Sequence, residues 1–79
     1  MVNMKPKQLG RIAKVRAQAA DGTARRLRED AGISLRELAA AVQASPSTVH
    51  RWESGECIPR RDSALAWADM LDAISKVRV

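Results

Sequence analysis

The stretch GISLRELAAAVQASPSTVHRWESG, residues 32–55, decides the fold, because it carries the start and stop signals of two short helices. Ser34 is a favoured helix N-cap, and Glu37 three residues later completes a Ser-x-x-Glu capping box. Gly32, just before the cap, supplies the left-handed conformation that ends the preceding helix. We therefore predict a helix over residues 34–42, with leucine, alanine and valine on its apolar side.

A second start signal follows at Ser45 and Pro46, because a proline in the first helical position loses no hydrogen bond. Gly55 ends this helix, which we predict over residues 46–54. Only two large apolar residues lie within it, three positions apart, so most of its surface stays free. Two short helices joined by a tight turn, the second with a free outer face, indicate a helix-turn-helix unit whose second helix enters the DNA major groove.

The rest of the chain also predicts helices. Apolar residues recur at helical spacing over residues 7–20, and again from Asp21, a suitable N-cap, to about Ala31. After a loop that contains Pro59, a last helix begins near Asp62. Because no stretch has the pattern of a strand, the predicted class is all-α, a bundle of about five helices.

Positive charge is concentrated at the N-terminus. The net charge of the 79 residues is +5; residues 1–20 contain five basic residues and no acidic one, whereas nine of each follow. Such a concentration favours a polyanionic partner, although a solvated basic tail has the same composition. We expect a basic N-terminal helix over residues 1–20, with Leu9, Ile12 and Ala13 on its apolar side, and a helix-turn-helix domain over residues 21–79.

Several function classes are excluded by composition. One cysteine and one histidine cannot form a disulfide or a zinc site, and no nucleophile, base or phosphate-binding loop is recognisable. No apolar run approaches the ~18 residues of a membrane span, and no apolar segment follows the basic N-terminus as in a signal peptide. We expect a cytoplasmic protein with no enzyme activity, metal, cofactor, small-molecule substrate or membrane partner.

Residues 23–71 also carry an ordered set of motif residues. These are an apolar residue before a hydroxyl cap, Leu-Ala in the first helix, a serine at the turn, an apolar residue in the second helix, Glu-x-Gly at its end, a later proline and three apolar positions in the last helix. They stand at Ile33, Ser34, Leu38, Ala39, Ser45, Val49, Glu53, Gly55, Pro59, Leu65, Ala68 and Leu71. In these residues the chain resembles the phage Cro and repressor family of XRE-type regulators.

The resemblance implies a lambda-repressor-like bundle, with the basic N-terminal helix as an addition. It also implies a sequence-specific, double-stranded DNA-binding transcriptional regulator, of the phage or prophage Cro-like repressor kind. Two positions depart from the family. Leu35 replaces a frequent glutamine that contacts phosphate, and Gln43 replaces the glycine of the turn, where a positive φ costs a non-glycine residue about 1 kcal/mol.

The family's base-reading residues lie at the start and on the outer face of the second helix. The matching positions are Ser45, Pro46, Ser47, His50 and Arg51. Arg51 matches guanine O6 and N7 bidentately, and Pro46 offers only apolar contact, as to a thymine methyl. His50 can reach a phosphate or a base. Phosphate contacts are expected from the basic side chains of Lys7, Arg11, Lys14, Arg36, Arg60 and Arg61, for which plain solvation is the alternative.

The family also pairs an arginine of the preceding helix with the glutamate that ends the second helix. The matching residues are Arg28 and Glu53. A glutamate near a helix C-terminus needs such a partner, because its charge is unfavourable to the helix dipole. We therefore expect a structural ion pair here.

Met70, Ile74 and Val77 form one stripe of the last helix after the family's core positions are assigned. We predict that this stripe is exposed and forms a homodimer interface, at least on DNA. Packing against the N-terminal helix, leaving a monomer, is the alternative. A different function is also open: an antitoxin-like or recombination-accessory protein that acts through a protein partner held by the N-terminal helix.

Overall fold

The computed structural model describes the backbone of residues 5–77 and the side chains of residues 5–76. It contains five helices, α1 Pro6–Asp21, α2 Thr23–Asp30, α3 Leu35–Ala41, α4 Pro46–Glu53 and α5 Arg61–Val77. The described residues contain no strand, so the predicted all-α class is confirmed. The helix-turn-helix unit consists of α3 and α4.

The starts of α3 and α4 follow their predicted caps, whereas Asp21, predicted to cap α2, is the last residue of α1, and Gly22 precedes α2. Ser34 Oγ accepts from the Glu37 amide at 3.0 Å, and Glu37 Oε1 accepts from the Ser34 amide at 2.9 Å, which is the predicted capping box. The backbone and side-chain hydrogen bonds of Ser34 hold the pKa of Glu37 below its ordinary value. Because these bonds favour the charged carboxylate, the box is intact above the ordinary pKa and weakens as pH falls through the lowered one.

The turn between α3 and α4 contains one residue in the left-handed region. Gln43 has a φ of 57°. The Ala44 amide, next in the chain, donates to the Ala39 carbonyl at 2.9 Å, and this hydrogen bond holds Gln43 in its conformation. This non-glycine residue costs the turn about 1 kcal/mol.

A buried ion pair joins α2 to the end of α4. Arg28 Nε lies 2.7 Å from Glu53 Oε2, and Arg28 Nη2 lies 3.1 Å from Glu53 Oε1. The third donor, Nη1, reaches the Ile33 carbonyl at 2.8 Å, in the loop that leads to α3. The two side chains are only 9% and 3% exposed. The hydrogen bond to Glu53 raises the pKa of Arg28, so the guanidinium stays charged.

The core lies between the helix-turn-helix unit, α1 and α5. It is aliphatic apart from two tryptophans, Trp52 of α4 and Trp67 of α5, whose ring centroids are 5.3 Å apart at an interplanar angle of 37°. Trp67 is fully buried, and its Nε1 finds no hydrogen-bond partner among the described residues. The tryptophan pair thus links the second helix of the unit to the last helix of the bundle.

The N-terminal helix is part of this core. Ile12, Val15 and Ala19 of α1 are buried, with Val15 at 0% exposure. The apolar side predicted from the sequence is wrong in part, because Leu9 is 53% exposed and Ala13 is also exposed. Helix α1 therefore packs against the other helices through Ile12, Val15 and Ala19.

Arg11 of α1 is bound by two carboxylates of α5. Arg11 Nη2 contacts Asp69 Oδ1 at 2.7 Å and Asp72 Oδ2 at 2.9 Å. These contacts raise the pKa of Arg11, with the hydrogen bond to Asp69 as the main cause. Because exposed ion pairs contribute little, the orientation of α1 rests mainly on the burial of Ile12 and Val15.

We expect Val15→Ala to lower the free energy of unfolding by about 1–3 kcal/mol, because it removes buried methyl groups from the core. Leu9→Ala is the matched control on the exposed side of the same helix, and should change stability by less than about 0.5 kcal/mol. Chemical denaturation of both variants measures the difference. Equal losses would contradict the orientation of α1.

We expect Arg28→Ala and Glu53→Ala each to destabilise the fold by about 3–5 kcal/mol, because each strands a buried charge. The double variant should cost less than the sum of the two. Arg28→Lys keeps the charge but not the two-pronged geometry, and should fall between wild type and Arg28→Ala. Additive losses in the double-mutant cycle would show that the two side chains do not interact.

Candidate nucleic-acid interface

The outer face of α4 forms one wall of an open groove. Val49 and Trp52 are buried on the inner side of the helix. The groove, of about 450 Å³, is lined by Leu35, Pro46, Ser47, His50, Arg51 and Glu56. Four of the five residues predicted to read bases therefore lie on a single surface.

The fifth residue, Ser45, has a different surrounding. Its Oγ accepts from the Thr48 amide at 3.1 Å and lies 2.8 Å from Thr48 Oγ1. The hydroxyl caps α4 and fixes the direction in which the helix starts. Ser45 does not line the groove, so its observed role is to position the helix that carries the other four residues.

Arg51 and His50 lie in the last turn of α4 and are both exposed. The carbonyl of Arg51 accepts from the amides of Glu56 and Cys57 at 2.9 and 3.3 Å. The loop therefore folds back beside the helix end, and this return brings the carboxylate of Glu56 to the groove. A guanidinium and a carboxylate at one end offer both donors and an acceptor to base edges.

Two lining residues were not among those predicted to act. Leu35, at the start of α3, is half-buried and adds an apolar surface to the groove opposite Pro46. Leu35 stood out in the sequence because the family it resembles often has glutamine there, but a place in the groove was not predicted for it. Glu56 gave no signal in the sequence, because its place depends on the path of the loop after Gly55, which turns with a φ of 79°.

The basic residues predicted to contact phosphate are not equivalent. Arg36, in the first turn of α3, and Arg60, just before α5, are exposed. Arg61 lies beside Arg60 in a shallow pocket at the start of α5, and its Nε is 3.4 Å from Asp62 Oδ1. Exposed ion pairs of this kind are weak, so Asp62 leaves Arg61 available to other anions.

The basic side chains of α1 also differ in whether a carboxylate lies beside them. Lys7 and Lys14 are exposed. Arg11 contacts Asp69 and Asp72 of α5 and is 32% exposed, so phosphate would compete with these two carboxylates, and its role as a phosphate contact stays a prediction. The sequence alone showed a basic segment without acidic residues, whereas the fold brings carboxylates from α5 to it.

The stripe predicted on α5 is not exposed at Ile74, which is only 3% exposed. Met70 is half-buried against the core, and the side chain of Val77 lies outside the described residues. The role of this stripe as a dimer interface stays a prediction.

Among residues 5–76 no three histidine, cysteine or carboxylate side chains cluster as a metal site would require. No helix in the part of the chain that the structure describes combines the length and apolar character needed to cross a bilayer.

A helix pair braced from behind by an ion pair, with an open groove on the outer face of its second helix, defines a helix-turn-helix protein. A family model described as a helix-turn-helix domain matches residues 22–78. The chain therefore belongs to this family, and α1 precedes the matched region. No curated protein and no solved structure matches the chain.

We expect Arg51→Ala to relax the base preference at one position of a bound duplex, because a bidentate arginine–guanine contact discriminates by ~1–3 kcal/mol. Arg25→Ala is the matched control: Arg25 is an exposed arginine of α2 that pairs with Glu29, away from the groove. It removes the same charge but should leave the preference intact. Binding to a panel of single-base variants of the duplex measures both. A uniform loss for every sequence would assign Arg51 to a phosphate.

Proposed function

We propose that the protein is a sequence-specific, double-stranded DNA-binding transcriptional regulator of the phage Cro-like repressor kind. The observation that carries the proposal is the groove on α4, where Pro46, Ser47, His50 and Arg51 are gathered on the side opposite the buried face. Repression would follow from occupying an operator and excluding polymerase. We propose a cytoplasmic location, where such DNA is found.

The chemistry of the groove supports sequence reading. Arg51 supplies the two donors that match guanine, and Ser47 can donate to or accept from any base edge. Pro46 and Leu35 supply the apolar surface that a thymine methyl requires. Specificity therefore needs no further cofactor or bound ion.

Affinity would come from exposed cations. Arg36 lies in the first turn of α3, Arg60 and Arg61 lie at the start of α5, and Lys7 and Lys14 lie on α1; all five are exposed. Phosphate contacts position a protein on the duplex and make its binding salt-dependent. We propose that these five side chains act in this way.

We further propose that two copies bind together. A symmetric pair places two recognition helices about one helical turn apart, ~34 Å, which matches a palindromic site. The antitoxin-like or recombination-accessory alternative has less support, because α1 buries its largest β-branched residues in the chain's own core and is not a free partner-binding element.

Selection of bound sequences from random duplexes should enrich two inverted half-sites with centres about 10 base pairs apart. The log of the binding constant for the enriched duplex should fall linearly with the log of salt concentration, by about 0.9 per neutralised phosphate. A scrambled duplex of the same composition is the control. Equal binding to the scrambled duplex would contradict sequence-specific regulation and favour an architectural or partner-dependent role.

A further inference from the structure

Glu56 places a negative charge in the groove on α4. It lines the groove together with His50 and Arg51, and its side chain is exposed. Among residues 5–76 its carboxylate makes no hydrogen bond and no ion pair. Both oxygens are therefore free to accept hydrogen bonds from another molecule.

The backbone that carries Glu56 is fixed on both sides. The Glu56 amide donates to the Arg51 carbonyl at 2.9 Å, after a turn at Gly55 with a φ of 79°. Further along the loop, Arg16 Nη2 of α1 donates to the Pro59 carbonyl at 2.9 Å. The carboxylate is thus held in place beside α4, and a partner does not have to order the loop when it binds.

A free carboxylate is unfavourable in a DNA interface unless a base donates to it. The duplex carries one negative charge per ~1.7 Å of its axis, which repels a second anion. In the major groove the donors are the amino groups of cytosine and adenine, whereas guanine and thymine present only acceptors and a methyl group. Adenine also presents its N7 acceptor beside the amino group, so cytosine suits a carboxylate best.

We propose that Glu56 is a specificity-determining residue that accepts a hydrogen bond from the N4 amino group of a cytosine. This inference rests on the proposed DNA-binding function and names a base of the bound site. Arg51 donates to a guanine, and Glu56 accepts from the cytosine. Because no ion pair joins the side chains of Arg51 and Glu56, the two are assigned to separate base pairs.

The same carboxylate acts against other sequences. At a guanine or thymine it meets a base acceptor and the surrounding phosphates, with no donor to offset the repulsion. Specificity is a difference of affinities, and it rises when the wrong partner is made less favourable. Removal of the charge should therefore strengthen binding to unrelated DNA and weaken discrimination at one base pair.

The test repeats the selection from random duplexes with the wild type, Glu56→Gln and Glu56→Ala. Glutamine binds adenine N6 and N7 bidentately, so Glu56→Gln should change the preferred base from cytosine to adenine at one position. Glu56→Ala should lose the preference there. This position should differ from the one that Arg51→Ala affects. Replacing the cytosine should lower wild-type affinity by about 5- to 50-fold.

Glu29→Gln is the matched control, because Glu29 is an exposed glutamate of α2 that pairs with Arg25 and lies outside the groove. It removes the same charge and should leave the selected sequences unchanged. If Glu56→Gln keeps the wild-type base preference at every position and binds every duplex more tightly, Glu56 only repels phosphates and this inference is overturned, while the proposed function stands. A wild-type protein that enriches no sequence would contradict the proposed function, and this inference with it.

Discussion

The placement of α4 depends on the ion pair between Arg28 and Glu53. Glu53 ends the helix, where its charge opposes the helix dipole, and only a buried cation makes that position favourable. Because Arg28 also donates to the Ile33 carbonyl, one side chain fixes the end of α2, the path into α3 and the end of α4. The outer face of α4 is left without a structural task, so its residues are free to serve recognition.

The helix-turn-helix unit could be predicted because its signals are local. The Ser34 capping box, the Ser45 cap and the glycines that follow helices are each decided within a few residues. The orientation of α1 could not be predicted. This helix has apolar residues on more than one side, and the buried side is decided by packing against helices that lie far along the chain, α5 above all.

The candidate site also combines residues whose place is decided locally with a residue whose place depends on the tertiary fold. Ser47, His50 and Arg51 are spaced by the period of a helix whose inner side is fixed by two large apolar residues, so their shared face is predictable. Glu56 joins them only through a loop that turns back on the helix end. The burial of Ile74 likewise depends on how the helices pack, which the apolar pattern of α5 alone does not decide.

The tryptophan pair makes the recognition helix optically visible. The chain contains no tyrosine and no phenylalanine, so Trp52 and Trp67 are its only aromatic chromophores. One sits on α4 and the other on α5, with ring centroids 5.3 Å apart. At that distance their transitions couple, and any shift of α4 relative to the bundle alters emission and near-ultraviolet dichroism together. The protein thus carries a label-free reporter of its own DNA-reading helix.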